Sequence, residues 1–326
     1  MKRLAFYLFC FVGVSLGSGV QCQQSSSLSS LTVTVDAGDR SVYDRYQCEM
    51  QAEKQLSVGE RMVKSALFFL ETPYVGGTLE KEPEELVVNL REFDCSTLVE
   101  NVLALSLTQQ MGECSFDSFC RQLQKIRYRG EVIEDYTDRL HYMSDWIYEN
   151  EQKGRVKDMT HELGGVAWPL HLSFVSTHPD SYKPLKNHPQ RVKRMAQIEQ
   201  QINARPHYYI PKQSIDSCSA GIQNGDIVCF VTSIKGLDVT HVGIAYWQKG
   251  ELTFIHASSV AKKVVVQKGS LRAYTEQNKS CKGILVVRPL PPIRSLDYDS
   301  CCCLFGADCS GCVEVLFISH KNTISQ

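Results

Sequence analysis

The sequence predicts an α+β fold, and three observations carry that prediction. Up to residue 202, apolar residues recur at helical spacing in several segments. After Gly221 the pattern changes to short apolar runs of strand length, joined by tight turns such as Lys249-Gly250. Helices first and strands afterwards point to helices packed on an antiparallel sheet, not to alternating βαβ units.

The chain opens with Lys2 and Arg3, an apolar run from Leu4 to Val14, and small residues at Ser15, Gly17, Ser18 and Gly19. That order describes a secretory signal peptide over residues 1–22, cleaved between Gly19 and Gln23. Cys22 leaves a lipidated N-terminus open, although Val20 and Gln21 are poor for it. The expected location is periplasmic or secreted. Residues 23–44, beginning with a serine-rich stretch, are expected to be a linker. No later segment has the roughly 18 apolar residues of a membrane span.

A first helix is predicted over 59–70, closed by Pro73. Gly76-Gly77 marks a turn. Glu80 to Glu85 is an acidic loop, and 86–90 is strand-like. The central helix runs from Cys95 to Gln110, with Leu98, Val99, Val102, Leu103, Leu105 and Leu107 at helical spacing and Asp94, Ser96 and Thr97 as capping residues. Helices over 116–128, 138–150 and 191–202 follow. Strands are predicted at 226–231, 240–246, 252–257, 263–266 and 284–287.

Charge is balanced, with 35 basic and 36 acidic residues, which offers no general attraction to nucleic acid or an anionic membrane. The 14 cysteines are scattered, and only Cys309-Ser310-Gly311-Cys312 has a C-x-x-C spacing, so neither a zinc site nor a small disulfide scaffold is indicated. No metal or cofactor is expected.

Cys95 falls at a helix start, where unpaired N–H groups and the helix dipole favour a thiolate. The position is therefore expected to lower the thiol pKa. A nucleophilic cysteine needs a base and a group to orient it. His241 begins one predicted strand and His256 ends the next, so a hairpin brings them together near one end of the sheet. His241 would take the thiol proton and His256 would fix its tautomer. His161, His171, His178, His188 and His207 lie in loop-like sequence and are the alternatives.

The runs Pro73-Tyr74-Val75-Gly76-Gly77, Phe93-Asp94-Cys95-Ser96-Thr97, Thr240-His241-Val242-Gly243-Ile244 and Ile255-His256-Ala257-Ser258 together resemble the NlpC-type papain-like superfamily of cell-wall hydrolases. More closely, they resemble its N-acetylmuramoyl-L-alanine amidase-like branch. The resemblance covers residues 45–290. It implies a papain-like fold with the nucleophile's helix packed on a barrel-like antiparallel sheet, Cys95 as nucleophile, His241 as base and His256 as orienting residue. It also implies a tyrosine, Tyr74, beside the nucleophile. Asp94 and Ser96 flank Cys95 as substrate contacts or caps, and Arg91 is a candidate for a substrate carboxylate. The implied partner is peptidoglycan or its muropeptide fragments, cut between N-acetylmuramic acid and L-alanine. A γ-D-glutamyl–diamino acid endopeptidase and an inactive wall-binding protein are the alternatives. Residues 291–326 form a cysteine-rich extension outside the resemblance.

Overall fold

In the computed structural model the described residues are 33–51, 53 and 55–292. The expected signal peptide, with Cys22, and residues 293–326 of the expected extension lie outside them.

The first folded segment comes earlier than the sequence suggests. Strand β1 (Val33–Thr34) pairs in parallel with β2 (Leu86–Val87), and helix α1 spans Ala37–Met50. Asp36 caps α1, accepting from the Gly38 N–H at 2.7 Å, and Asp39 accepts from the Asp36 N–H at 3.2 Å. Tyr43 and Tyr46 are buried. Residues 37–44 are thus helix with core contacts, which corrects the linker expectation.

Helix α2 (Val58–Phe68) starts with a Ser57/Glu60 capping box, and α3 (Cys95–Gln110) has the expected bounds. Every α3 residue from Thr97 to Thr108 is buried, so it is a core helix and not an amphipathic one. Helix α4 covers Phe116–Arg127. Helix α5 (Met143–Gln152) begins later than expected. Residues 136–138 form a short 3-10 turn, after which the chain is extended and the Leu140 N–H donates to the Arg127 carbonyl at 3.0 Å. Then come β3 (Val156–Asp158), β4 (Val166–Ala167), α6 (Phe174–Thr177), α7 (Pro189–Asn203), β5 (Tyr208–Pro211) and α8 (Ile215–Cys218). The last part holds β6 (Ile227–Thr232), β7 (Val239–Gln248), β8 (Glu251–Ser258), β9 (Lys263–Val266), α9 (Leu271–Gln277) and β10 (Cys281–Pro289).

The sheet runs β4-β5-β10-β6-β7-β8-β9, with β3 also on β10, and its pairings are antiparallel. Helices α2 and α3 pack against β7 and β8. Val228, Phe230, Phe254, Leu271 and Val286 belong to one buried apolar cluster that closes the sheet with α9. The mixed α+β class with an antiparallel sheet is as expected. Among the described residues no helix is long and apolar enough to cross a membrane.

Candidate active site

Cys95 is the first residue of α3 and is half-buried. Its place is fixed from two sides. Asp94 caps the helix, accepting from the Thr97 N–H at 2.8 Å while the Asp94 N–H donates to Thr97 Oγ1 at 2.9 Å. Ahead of it, the Phe93 N–H donates to Pro73 O and the Val75 N–H to Phe93 O, both at 3.0 Å. These bonds clip the Tyr74 segment alongside the extended residues just before Cys95, where Tyr74 and Phe93 form a parallel bridge. The Tyr74 N–H in turn donates to Lys262 O at 2.9 Å, so the segment also joins the β8–β9 turn.

The Val242 backbone, on β7 next to His241, and Ser96 both act to lower the Cys95 thiol pKa, which sets them near the sulfur. Val242 and His241 therefore bring the sheet to the helix start. His241 Nε2 lies 2.6 Å from His256 Nδ1, with the rings nearly perpendicular. The register explains this. Ile244 pairs with Ile255, so Gly243 stands opposite His256 one step on, and His241 is its diagonal neighbour on the same face. Gly243 leaves room for the Phe254 ring and the His256 side chain beside it. A Cβ there would meet Phe254 Cδ2 at 2.6 Å and His256 Cβ at 3.4 Å.

His256 is 2% exposed. Burial pushes its pKa down to about 4, against the opposing effect of the Gln267 side chain. Gln267 gives its amide N–H to Lys268 O at 2.9 Å, which leaves its oxygen for His256, although no hydrogen bond of full geometry reaches His256 Nε2. Burial, then the charge of His256, takes His241 down to about 3. Burial and then the Asp94 charge raise the Cys95 thiol to about 11, over the opposing Val242 and Ser96 hydrogen bonds. The lowered thiol expected from the helix start is not what the site shows, because desolvation of the charged form outweighs it. Tyr74 is raised by burial and then by the charges of Cys95 and Asp94, and Tyr274 by burial and then by Cys95, which puts both phenols near the sulfur.

The structure thus gathers Cys95, His241, His256, Tyr74, Asp94 and Ser96, with Asp94 also serving as cap. Arg91 is placed elsewhere. Its Nε meets Asp39 Oδ1 at 3.1 Å and its Nη2 meets Asp36 Oδ1 at 3.5 Å, binding it to the start of α1. Of the other histidines, His161 packs at a tilt against the Tyr208 ring, 4.3 Å between centroids, and His207 bonds the Ile202 carbonyl.

Beside Cys95 is a cavity of about 120 Å³ that the sequence did not reveal, walled by Ser96, Val99, Glu100, Leu140, His141, Met143, Trp146, Asp238 and His241 among others. Asp238, 1% exposed, accepts from the Ser144 N–H and hydroxyl, each at 2.8 Å, and from the Val239 N–H at 2.7 Å. It therefore ties the start of α5 to the start of β7. Glu100 accepts from buried Arg127 Nε at 2.7 Å.

Residues 64–284 match the model of the AmiA-like family, described as N-acetylmuramoyl-L-alanine amidase-like. Among solved structures, an N-acetylmuramoyl-L-alanine amidase from Bacteroides uniformis ATCC 8492 is 41% identical, covers 72% of this chain and 99% of its own, and has a TM-score of 0.68. A Bacteroides fragilis structure whose name proposes a xylanase is 42% identical over 69% of this chain and 99% of its own, with a TM-score of 0.66. A Legionella pneumophila str. Philadelphia 1 protein, 23% identical over 78% of this chain and 97% of its own, has a TM-score of 0.58 and shares the fold. No curated protein matches. A family match across most of the chain, joined to near-complete coverage of the 41% identical amidase structure, means that this chain belongs to the N-acetylmuramoyl-L-alanine amidase-like family.

Proposed function

We propose that the protein is an exported, cysteine-dependent hydrolase of the papain-like, NlpC type that cuts the amide between N-acetylmuramic acid and L-alanine in peptidoglycan or its fragments. The observation that carries this reading is the cavity that Cys95, at the start of α3, shares with His241, whose ring meets His256 at 2.6 Å. The family and the name of the Bacteroides uniformis relative support the bond assignment. Export rests on the leader-like residues 1–22.

His241 Nε2 is engaged by His256, so Nδ1 is the nitrogen left for the thiol. If His241 Nε2–H donates to His256 Nδ1, then His241 Nδ1 carries a lone pair and can accept a proton. The reverse tautomer would block it. In the accepting arrangement His256 holds its own proton on Nε2, toward the free Gln267 oxygen. His256 thus selects the reactive tautomer.

In the first half-reaction the Cys95 sulfur attacks the lactyl carbonyl carbon and the thiol proton passes to His241. The Cys95 N–H, unused by the helix, is a donor for the developing oxyanion. The C–N bond breaks, His241 gives its proton to the departing L-alanine nitrogen, and a thioester remains. Water then attacks the thioester, His241 takes its proton, the C–S bond breaks and the proton returns to sulfur. All proton transfers run between protein groups, substrate and water.

The test is mass spectrometry of muropeptides digested by the wild-type protein and by Cys95→Ser. Release of an intact stem peptide and a peptide-free sugar by the wild type alone is expected. A dipeptide left on the sugar would replace this reading with the γ-D-glutamyl endopeptidase. Equal digestion by both proteins would end the cysteine mechanism.

A further inference from the structure

The histidine pair sits among three aromatic rings to which the reaction gives no part. The β6–β7 register sets Phe230 opposite His241, and the two-residue repeat of a strand puts Phe254 on the same face as His256. The ring centroids of Phe230 and Phe254 are 5.0 Å apart, and each lies 4.9 Å from the ring of Tyr274. Together they box in the imidazoles. Phe230 is 5.6 Å and Tyr274 6.2 Å from the His241 ring, while Phe254 is 4.7 Å and Tyr274 6.0 Å from the His256 ring. Phe230 and Phe254 are fully buried, whereas Tyr274 is half-buried. Tyr274 is therefore the wall of the box that meets solvent, and it comes from α9 instead of the sheet. Helix α9 is held in place on several sides. Ser270 caps it, accepting from the Ala273 N–H at 3.1 Å, Leu271 lies in the buried apolar cluster, and Arg272 Nη1 donates to the Gln213 carbonyl at 3.0 Å.

The hydrogen bond between His241 Nε2 and His256 Nδ1 can run in either direction, and only one direction leaves His241 Nδ1 able to accept a proton. Water at the imidazoles would offer each nitrogen a competing partner and would stabilise the charged ring. Flat apolar walls offer neither. We propose that Tyr274 is a positioning residue whose ring shuts water out of the His241–His256 hydrogen bond and so preserves the direction that leaves His241 Nδ1 open to the thiol proton. The ring carries this role and not the hydroxyl, because ring contacts are what join Tyr274 to both histidines. The inference rests on the reading of His241 as the base. The titratable groups that share the cavity wall with His241 are Cys95, Glu100, His141 and Asp238, and Tyr74 and Asp94 lie beside Cys95. What lowers the pKa of His241 is burial and then His256, so the walls of the box matter more than these charges.

The experiment reads the histidines directly and needs no substrate. The full chain, Tyr274→Phe and Tyr274→Ala, each with isotope-labelled histidine, are titrated by NMR from pH 8 to pH 5. In the wild type and in Tyr274→Phe, which keeps the ring, His241 and His256 should stay neutral throughout and show one tautomer each. In Tyr274→Ala at least one of them should take up a proton near about pH 6, close to the ordinary imidazole value, and a second tautomer should appear. An unchanged titration in Tyr274→Ala overturns the proposal, even if Tm falls, because that is the mark of packing alone. A shift in Tyr274→Phe as large as in Tyr274→Ala also overturns it, since the hydroxyl would then carry the effect. If Tyr274→Ala does not fold, Tyr274→Gln, which keeps bulk but is polar, is read in the same way. On muropeptides, kcat of Tyr274→Ala should fall about tenfold from pH 8 to pH 5, the loss expected one pH unit below a pKa of about 6, with KM within about twofold. Tyr274→Phe should restore the wild-type profile. A shifted titration without that loss of rate would refute His241 as the base and leave the shield standing.

Discussion

Replacing His256 with Gln should make the fold more resistant to acid while it slows turnover. His256 is 2% exposed, faces the rings of Phe254 and Tyr274 at 4.7 and 6.0 Å, and meets His241 and Gln267 as its polar neighbours. Its pKa falls from an ordinary 6.5 to about 4 because burial disfavours the imidazolium. Between these values the unfolded chain binds a proton that the folded chain refuses. Stability is therefore intact above pH 6.5 and is lost as pH falls toward 4. For this one group the linkage relation gives a penalty of about 2 kcal/mol at pH 5 and almost none at pH 7. In a domain of this size 1 kcal/mol moves Tm by about 2–4 °C, so the wild type should lose about 4–8 °C more than His256→Gln between those pH values. His241 acts in the same direction, because removing His256 lifts one of the two causes of its lowered pKa. Thermal unfolding followed by circular dichroism at pH 7 and pH 5 measures the effect. Parallel pH dependences of Tm in the two proteins would refute the claim that His256 is held neutral by burial.

Other outcomes follow from the same geometry. Cys95→Ala and Cys95→Ser should fold normally and lose hydrolysis; near-wild-type turnover of muropeptides in either would remove sulfur from the mechanism. His241→Ala should lose about a thousandfold or more in turnover, as a proton carrier in both half-reactions, whereas His256→Gln keeps a hydrogen-bonding group and should retain a measurable fraction. Equal loss in the two variants would show the roles to be misassigned. Initial rates should hold from pH 8 down to about 5, since burial keeps His241 unprotonated until near pH 3; a rate limb centred near 6.5 would mean an imidazole in contact with solvent. Arg91→Ala should leave kcat/KM within about twofold and lower Tm by a few degrees, because its partner Asp39 is buried and also accepts from the Leu90 N–H at 2.9 Å. A large rise in KM with an unchanged Tm would return Arg91 to the substrate.

What the sequence made legible was local. The α3 bounds follow from the Asp94/Thr97 cap and an unbroken apolar periodicity, and β6 to β10 from short runs between turn residues. The two histidines could be paired because their strands form a hairpin with a two-residue turn at Lys249-Gly250, where both residues have positive φ. Helix α1 was legible but overlooked: Tyr43, Tyr46 and Met50 keep helical spacing, yet the polar residues around them resemble a linker. That omission hid Asp39, and with it the reason Arg91 belongs to the scaffold. Strands β3, β4 and β5 have two to four residues each, too few for a period to show. The cavity wall was not legible at all. Trp146 and Asp238 line the same cavity as Cys95 only in the finished fold, where the Ser144–Asp238 bonds join segments 94 residues apart.

If Cys95 is the nucleophile proposed above, the electrostatics of the site bear on how a thiol raised by desolvation can serve as one. Losing a proton from Cys95 to solvent is disfavoured by burial and by Asp94, and adding one to His241 from solvent is disfavoured by burial and by His256. Transfer from the sulfur to the imidazole is a different process. It leaves the net charge of the site unchanged and creates opposite charges side by side, so their attraction offsets much of the desolvation that each would meet alone. The fixed dipoles favour this direction. The Val242 backbone, Ser96 and the free end of α3 act on the thiolate, and the Gln267 oxygen acts on the charged histidine pair through His256. On that reading the pair is neutral at rest and separates charge only when a carbonyl is present to receive the sulfur. Gly243 contributes by leaving room for Phe254: a Cβ there would meet Phe254 Cδ2 at 2.6 Å, so the ring that packs beside His256 would have to shift.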